Sequence, residues 1–170
     1  MIILGIDPAI RTTGYGVIKA DPQSGSGMEI LDCGVIRNKP TMPHTECLRR
    51  LAGGINELIS LYSPDCAVLE EPFVGRNAKT AIILGMARGG ILTALATHNI
   101  PAYAYTPTVA KRAATGSGSA EKDRIAFLLA AEFGIAVENI PLDSTDAIAL
   151  AMCHIQRLRF PAITGLGKEL

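Results

Sequence analysis

The chain has no tryptophan, only 5% of its residues are aromatic, and neither sign of charge predominates, with sixteen Lys plus Arg against sixteen Asp plus Glu. This neutral balance counts mildly against a nucleic-acid partner and leaves only a local basic rim to hold phosphates. Cysteine is sparse as well. Cys33, Cys47, Cys66 and Cys153 lie far apart with no CxxC pair, so neither a zinc site nor a disulfide framework is required. The run GMARGG lacks the GxxxxGK[ST] spacing of a phosphate loop. No basic leader precedes the opening apolar run, and no uninterrupted apolar segment reaches the about 18 residues of a membrane span. The expectation is a protein of the reducing cytoplasm with no membrane partner.

What is present is 170 residues, 48% of them hydrophobic, enough for a sizeable core and predicted to form a single domain over residues 1–170. Ile2, Ile3, Leu4 and Ile6 form a short buried strand that ends on one carboxylate, Asp7, followed at once by Pro8. Arg11 to Gly16 reads as a polar, glycine-bearing turn, after which Val17 and Ile18 resume a strand. Met28 to Arg37 supplies a third strand, with Gly34 marking a bulge or a close approach. These three strands make an antiparallel opening. Leu48, Leu51, Ile55, Leu58, Ile59 and Tyr62 recur at helical spacing and predict a helix over about 45–62, weakened at Gly53 and Gly54 and stopped by Ser63-Pro64. Cys66-Ala67-Val68-Leu69 is then a second strand delivering a carboxylate, Glu70. The intervening helix suits a crossover that sets this strand parallel to the first, bringing Glu70 near Asp7.

Phe73 and Arg76 follow in an irregular loop beside the acids, Phe73 reading either as a core anchor or as a base-stacking wedge. A glycine-interrupted apolar helix over 78–98 is either a core helix or a subunit surface. A strand over 100–105 leads to a helical turn from Pro107 that carries Lys111 and Arg112. The GSGS run at 116–119 is rich in backbone donors and reads equally as an anion loop or a linker. Lys122 and Arg124 open the next helix, either as solvated charges or, with Lys111 and Arg112, as a phosphate-facing patch. The last helix, from near Leu142, carries Asp143 and Asp146 one turn apart on roughly one face.

Each acid has an ordinary explanation: a strand-end turn for Asp7, and for the late pair a helix N-terminus that favours negative charge by about 0.3–1 kcal/mol. Together they suggest something else. Divalent cations offset repulsion among Asp7, Glu70, Asp143 and Asp146, and two hard ions roughly 4 Å apart suit phosphodiester hydrolysis by activating water and stabilising a leaving 3′ oxygen.

The motifs ILGIDP, TGYGVI, VLEEPF, GRNA, GMARGG, VAKRAATGSGSAEK and DSTDAIALA are individually weak, but their order and spacing are specific. With them nearly the whole chain resembles the RuvC family of Holliday-junction resolvases, the crossover junction endodeoxyribonucleases. The resemblance implies an α/β, ribonuclease H-like fold: a central mixed sheet with the antiparallel three-strand opening, flanked by helices. It implies catalytic and metal-binding roles for Asp7, Glu70, Asp143 and Asp146, with two Mg2+ per active site and Mn2+ as a substitute. It places DNA contacts at Phe73, Lys111 and Lys122, beside which the cations Arg76 and Arg112 are expected to contact DNA as well. It further implies a homodimer acting in recombination and repair, which cuts a four-way DNA junction symmetrically, leaves 5′-phosphate and 3′-hydroxyl ends, and works beside a RuvA–RuvB branch-migration complex. The chain departs from the family pattern at Ala9-Ile10, where the family has Gly and a small polar residue, and in its neutral net charge. Three other classes are compatible with parts of the pattern: another nuclease of the ribonuclease H-like group, a sugar-kinase or actin-like nucleotide-binding module, and a non-catalytic junction scaffold.

Overall fold

A computed structural model describes residues 1–23, 27–72, 77–160 and 167–170. The strands are β1 (Ile2–Asp7), β2 (Thr12–Ala20), β3 (Met28–Arg37), β4 (Cys66–Glu70), β5 (Ala102–Tyr105) and β6 (Lys168–Glu169). The helices are α1 (His44–Tyr62), α2 (Ala78–Thr97), α3 (Pro107–Thr115), α4 (Lys122–Phe133) and α5 (Thr145–Arg159). One sheet runs in the order β3-β2-β1-β4-β5-β6. The predicted opening is present, β1–β2 and β2–β3 being antiparallel, and β4 lies parallel to β1 as the crossover argument requires.

Strand β1 is central because it has apolar side chains for both faces. Ile3 joins the cluster under α3, α4 and α5, while Leu4 and Ile6 join the cluster under α1 and α2. Helix α1 runs unbroken through Gly53 and Gly54, each of which costs a helix about 1 kcal/mol. Its buried Leu51, Ile55, Leu58 and Ile59 each return about 1.5–3 kcal/mol, so burial prevails over propensity.

The structure corrects two sequence expectations and sharpens two others. The stretch 11–16 is mostly strand, since β2 begins at Thr12 and the hairpin connection is only residues 8–11. Buried Thr13 closes that connection, its Oγ1 donating to the Ala9 carbonyl (2.5 Å) and accepting from the Ala9 N–H (3.2 Å). Ala9 needs no left-handed backbone there, and Ile10 is buried against the α1 cluster. The β2–β3 irregularity lies between Val17 and Ile18; Gly34 instead accommodates the Tyr15 ring, so its close-approach reading holds. The last helix starts later than Leu142: residues 142–144 form a 3-10 turn and α5 begins at Thr145. Finally, α2 is, among the described residues, the one helix long and apolar enough to cross a membrane by length and composition. Its Ala87, Ile91, Ala94 and Leu95 nevertheless belong to the core cluster shared with α1 and the sheet. Strand β6, which nothing in the sequence announced, pairs antiparallel with β5.

Candidate active site

The parallel register Ile6↔Leu69 sets the C-terminal ends of β1 and β4 side by side, so Asp7 and Glu70 emerge at one edge of the sheet. The late acids reach the same edge through glycine. A Cβ on Gly14, the β2 residue paired with Asp7, would overlap the Asp143 carbonyl, and a Cβ on Gly5 would overlap the Ala147 carbonyl. With hydrogen at both positions, the 142–144 turn and the first turn of α5 lie directly on the sheet backbone. Asp143 is then delivered by the 3-10 turn and Asp146 by the first turn of α5.

The electrostatics record this convergence. Burial first, and then the charge of Asp146, raise the Asp7 carboxyl from its ordinary 3.8 to about 6; Asp143 adds to the rise, while Lys122 and Lys111 oppose it. Glu70 is raised to about 7 by burial, then by Asp7 and Asp146, again against the two lysines. The Asp146 side chain is only 13% exposed, and its Oδ1 is buried without a hydrogen bond. Lys111 Nζ stands 3.8 Å from that oxygen, too far for a hydrogen bond but close enough for a charge contact. Lys122 Nζ bridges the late pair, 3.5 Å from Asp143 Oδ1 and 3.7 Å from Asp146 Oδ2.

All four predicted acids and both predicted lysines therefore share one locale. Arg112 does not join them: it is exposed on α3 and lines an open cavity with Thr108, Ser117 and Ser119. Phe73 and Arg76 lie outside the described residues. Sequence reasoning missed two cations. Arg37 at the end of β3 lies 3.3 Å from Asp143 Oδ2, and Arg88 of α2 donates to the Glu70 main-chain oxygen. Arg37 carried no signal as an ordinary strand-end residue; Arg88 carried one, the single charge in the apolar stretch from Ala81 to Thr97.

Among the described residues no three Asp, Glu, His or Cys side chains close into a metal-holding group. The donor chemistry still fits a hard divalent ion, since carboxylate oxygens are its preferred ligands and the buried Asp146 Oδ1 accepts no hydrogen bond.

Comparison with known proteins agrees with this geometry. The family model for crossover junction endodeoxyribonuclease RuvC matches residues 3–154. The RuvC of Desulforamulus reducens is 41% identical over 156 residues, covering 92% of this chain and 94% of that protein. The RuvC of Pelodictyon phaeoclathratiforme is 37% identical over 157 residues, covering 92% and 81%. Among solved structures, Thermus thermophilus RuvC in complex with a Holliday junction substrate superposes with a TM-score of 0.87 at 29% identity, covering 100% of this chain and 99% of that one. A yeast mitochondrial Holliday junction resolvase shares the fold alone, with a TM-score of 0.63 at 14% identity over 92% of this chain and 79% of that one. The ribonuclease H-like architecture, the acids gathered at one sheet edge and these matches together place the chain in the RuvC family, as a Holliday-junction-resolving crossover junction endodeoxyribonuclease.

Proposed function

We propose that this chain, as one nuclease domain over residues 1–170, resolves four-way DNA junctions by paired, symmetric, Mg2+-dependent hydrolysis that leaves 5′-phosphate and 3′-hydroxyl ends. The observation that carries the reading is the meeting of Asp7, Glu70, Asp143 and Asp146 at one sheet edge, with Lys111 and Lys122 set among them. Asp7, Glu70 and Asp146 are the central ligands in this proposal and Asp143 the outer one, its side chain being 40% exposed. Mg2+, or Mn2+ in its place, when bound there, supplies activation of water and stabilisation of charge on the leaving oxygen.

The chain's own groups do the rest. Lys122, held between the late acids, is positioned to turn toward a phosphate oxygen, and Lys111 neutralises the more buried side of the cluster. Arg37 extends this rim, giving local positive charge to a chain that is neutral overall. Arg112, Phe73 and Arg76 are further DNA contacts in this reading. A homodimer would place two such sites on opposed strands. The exposed side of α2, formed by Ile82, Gly85, Gly89, Thr93 and Ala96, supports it as the subunit surface, because small residues let helices approach closely. Handover from a RuvA–RuvB branch-migration complex in the cytoplasm completes the proposal.

The test is cleavage of a labelled four-way junction and a matched duplex, with and without Mg2+, beside Asp7→Asn. The expected result is symmetric nicks confined to the junction and dependent on Mg2+, with Asp7→Asn binding the junction but not cutting it. Equal cutting of duplex, or undiminished cutting by Asp7→Asn, overturns the proposal.

A further inference from the structure

Arg88 is the one buried Lys or Arg among the described residues, 9% exposed, and it is the only charge in α2 between Ala81 and Thr97. Burying a guanidinium is costly unless its donors are used. The Glu71 and Glu70 carboxylates favour its charge from nearby, but its described hydrogen bond goes to the main-chain oxygen of Glu70, the residue that carries a proposed catalytic acid. Arg88 also lines a small cavity with Asp7, Pro8, Glu70, Pro72 and Leu84, so it faces the ends of the two acid-bearing strands.

The β1–β4 ladder explains why that oxygen needs a side-chain donor. On its other side β4 is satisfied, the Glu71 N–H donating to the Tyr105 carbonyl at 2.8 Å, so the Glu70 carbonyl points toward β1. Extending the register Ile6↔Leu69 by one step opposes Asp7 to Glu70 and turns the nitrogen of residue 8 toward the Glu70 oxygen. Residue 8 is proline and has no N–H. The motif that ends β1 thus removes the last donor of the ladder at the point where two acids must be held side by side.

We propose that Arg88 is a positioning residue, supplying from α2 the donor that Pro8 lacks and thereby fixing the end of β4, and with it Glu70, relative to Asp7. The inference rests on the acid roles proposed above. It assigns Arg88 no contact with DNA and no part in bond breaking.

The experiment compares the full-length protein with Arg88→Met, which keeps the length and apolar stem but has no donor, and Arg88→Lys, which restores one. Three quantities are read: junction Kd in chelator, single-turnover cleavage at saturating junction, and the Mg2+ midpoint of thermal stabilisation without DNA. Arg88→Met is expected to bind the junction within about twofold of wild type, to cut about 10- to 100-fold more slowly, the loss associated with a small misplacement of reacting groups, and to need more Mg2+ for half-stabilisation. Arg88→Lys is expected to recover most of both losses. Cleavage by Arg88→Met within twofold of wild type, an unmoved Mg2+ midpoint, or equal defects in Met and Lys variants overturns the proposal. If wild type itself does not cut junctions, the functional reading fails, while the Mg2+ midpoints still judge Arg88.

Discussion

Asp7 and Glu70 are carboxyls in an environment that disfavours their charge, and this has a thermodynamic signature. Their folded-state values, about 6 and about 7, lie above the ordinary 3.8 and 4.5, so the native chain holds protons that the unfolded chain has released. Stability from these groups is greatest below the unfolded values and falls as pH rises from about 4 through about 7. In chelator, Asp7→Asn should therefore melt higher than wild type at pH 7.5, by about 1–2 kcal/mol, with the advantage fading near pH 4. Thermal melts across that range check it, and an Asn variant no more stable at pH 7.5 contradicts the strained carboxylate. Asp7 was legible from sequence because a hydrophobic strand ending on a lone acid is unusual. Arg37 was not legible, because its meeting with Asp143 joins positions 106 residues apart through a turn whose docking no local pattern encodes.

At the level of elements, the glycines of GIDP and TGYG serve packing more than turning. Gly14 faces the Asp143 carbonyl and Gly5 faces the Ala147 carbonyl. Gly14→Ala should push the 142–144 turn off β2, destabilising the fold by about 1–3 kcal/mol and slowing cleavage more than junction binding. Denaturant melts and single-turnover assays on one preparation test this; unchanged cleavage would show that Asp143 needs no such seating. Strand and helix identities were legible because the hydrophobic period changes between 2 and 3.6 along the chain. Boundaries failed where a side chain or another element decided them. Thr13 shortened the hairpin by bonding both main-chain groups of Ala9, and Pro141 with Ser144 made a 3-10 turn, the Ser144 N–H and Oγ both donating to the Pro141 carbonyl. Strand β6, two residues long, has no periodicity to detect.

For the whole molecule, the two apolar clusters lie on opposite sides of the sheet, and the helices covering them differ in what they leave bare. Ile82 of α2 is 64% exposed within a row of small residues. For the homodimer proposed above, Ile82→Asp should shift the protein toward monomer in sedimentation while leaving its melting temperature nearly unchanged, and should convert paired cuts into slow single nicks. A dimer that persists in this variant removes α2 from the interface. The architecture also separates the site along the chain: Asp7 stands on the first strand, whereas Asp143 and Asp146 arrive with the 142–144 turn and the last helix, which dock on β2 and β1 through Gly14 and Gly5. Because chains are made from the N-terminus, a ribosome-bound intermediate can build the three-strand opening and the α1 crossover before the late pair of proposed ligands exists. On the acid roles proposed above, nuclease competence is withheld until synthesis has passed α5, and a chain truncated before the 142–144 turn carries only the first two of those acids.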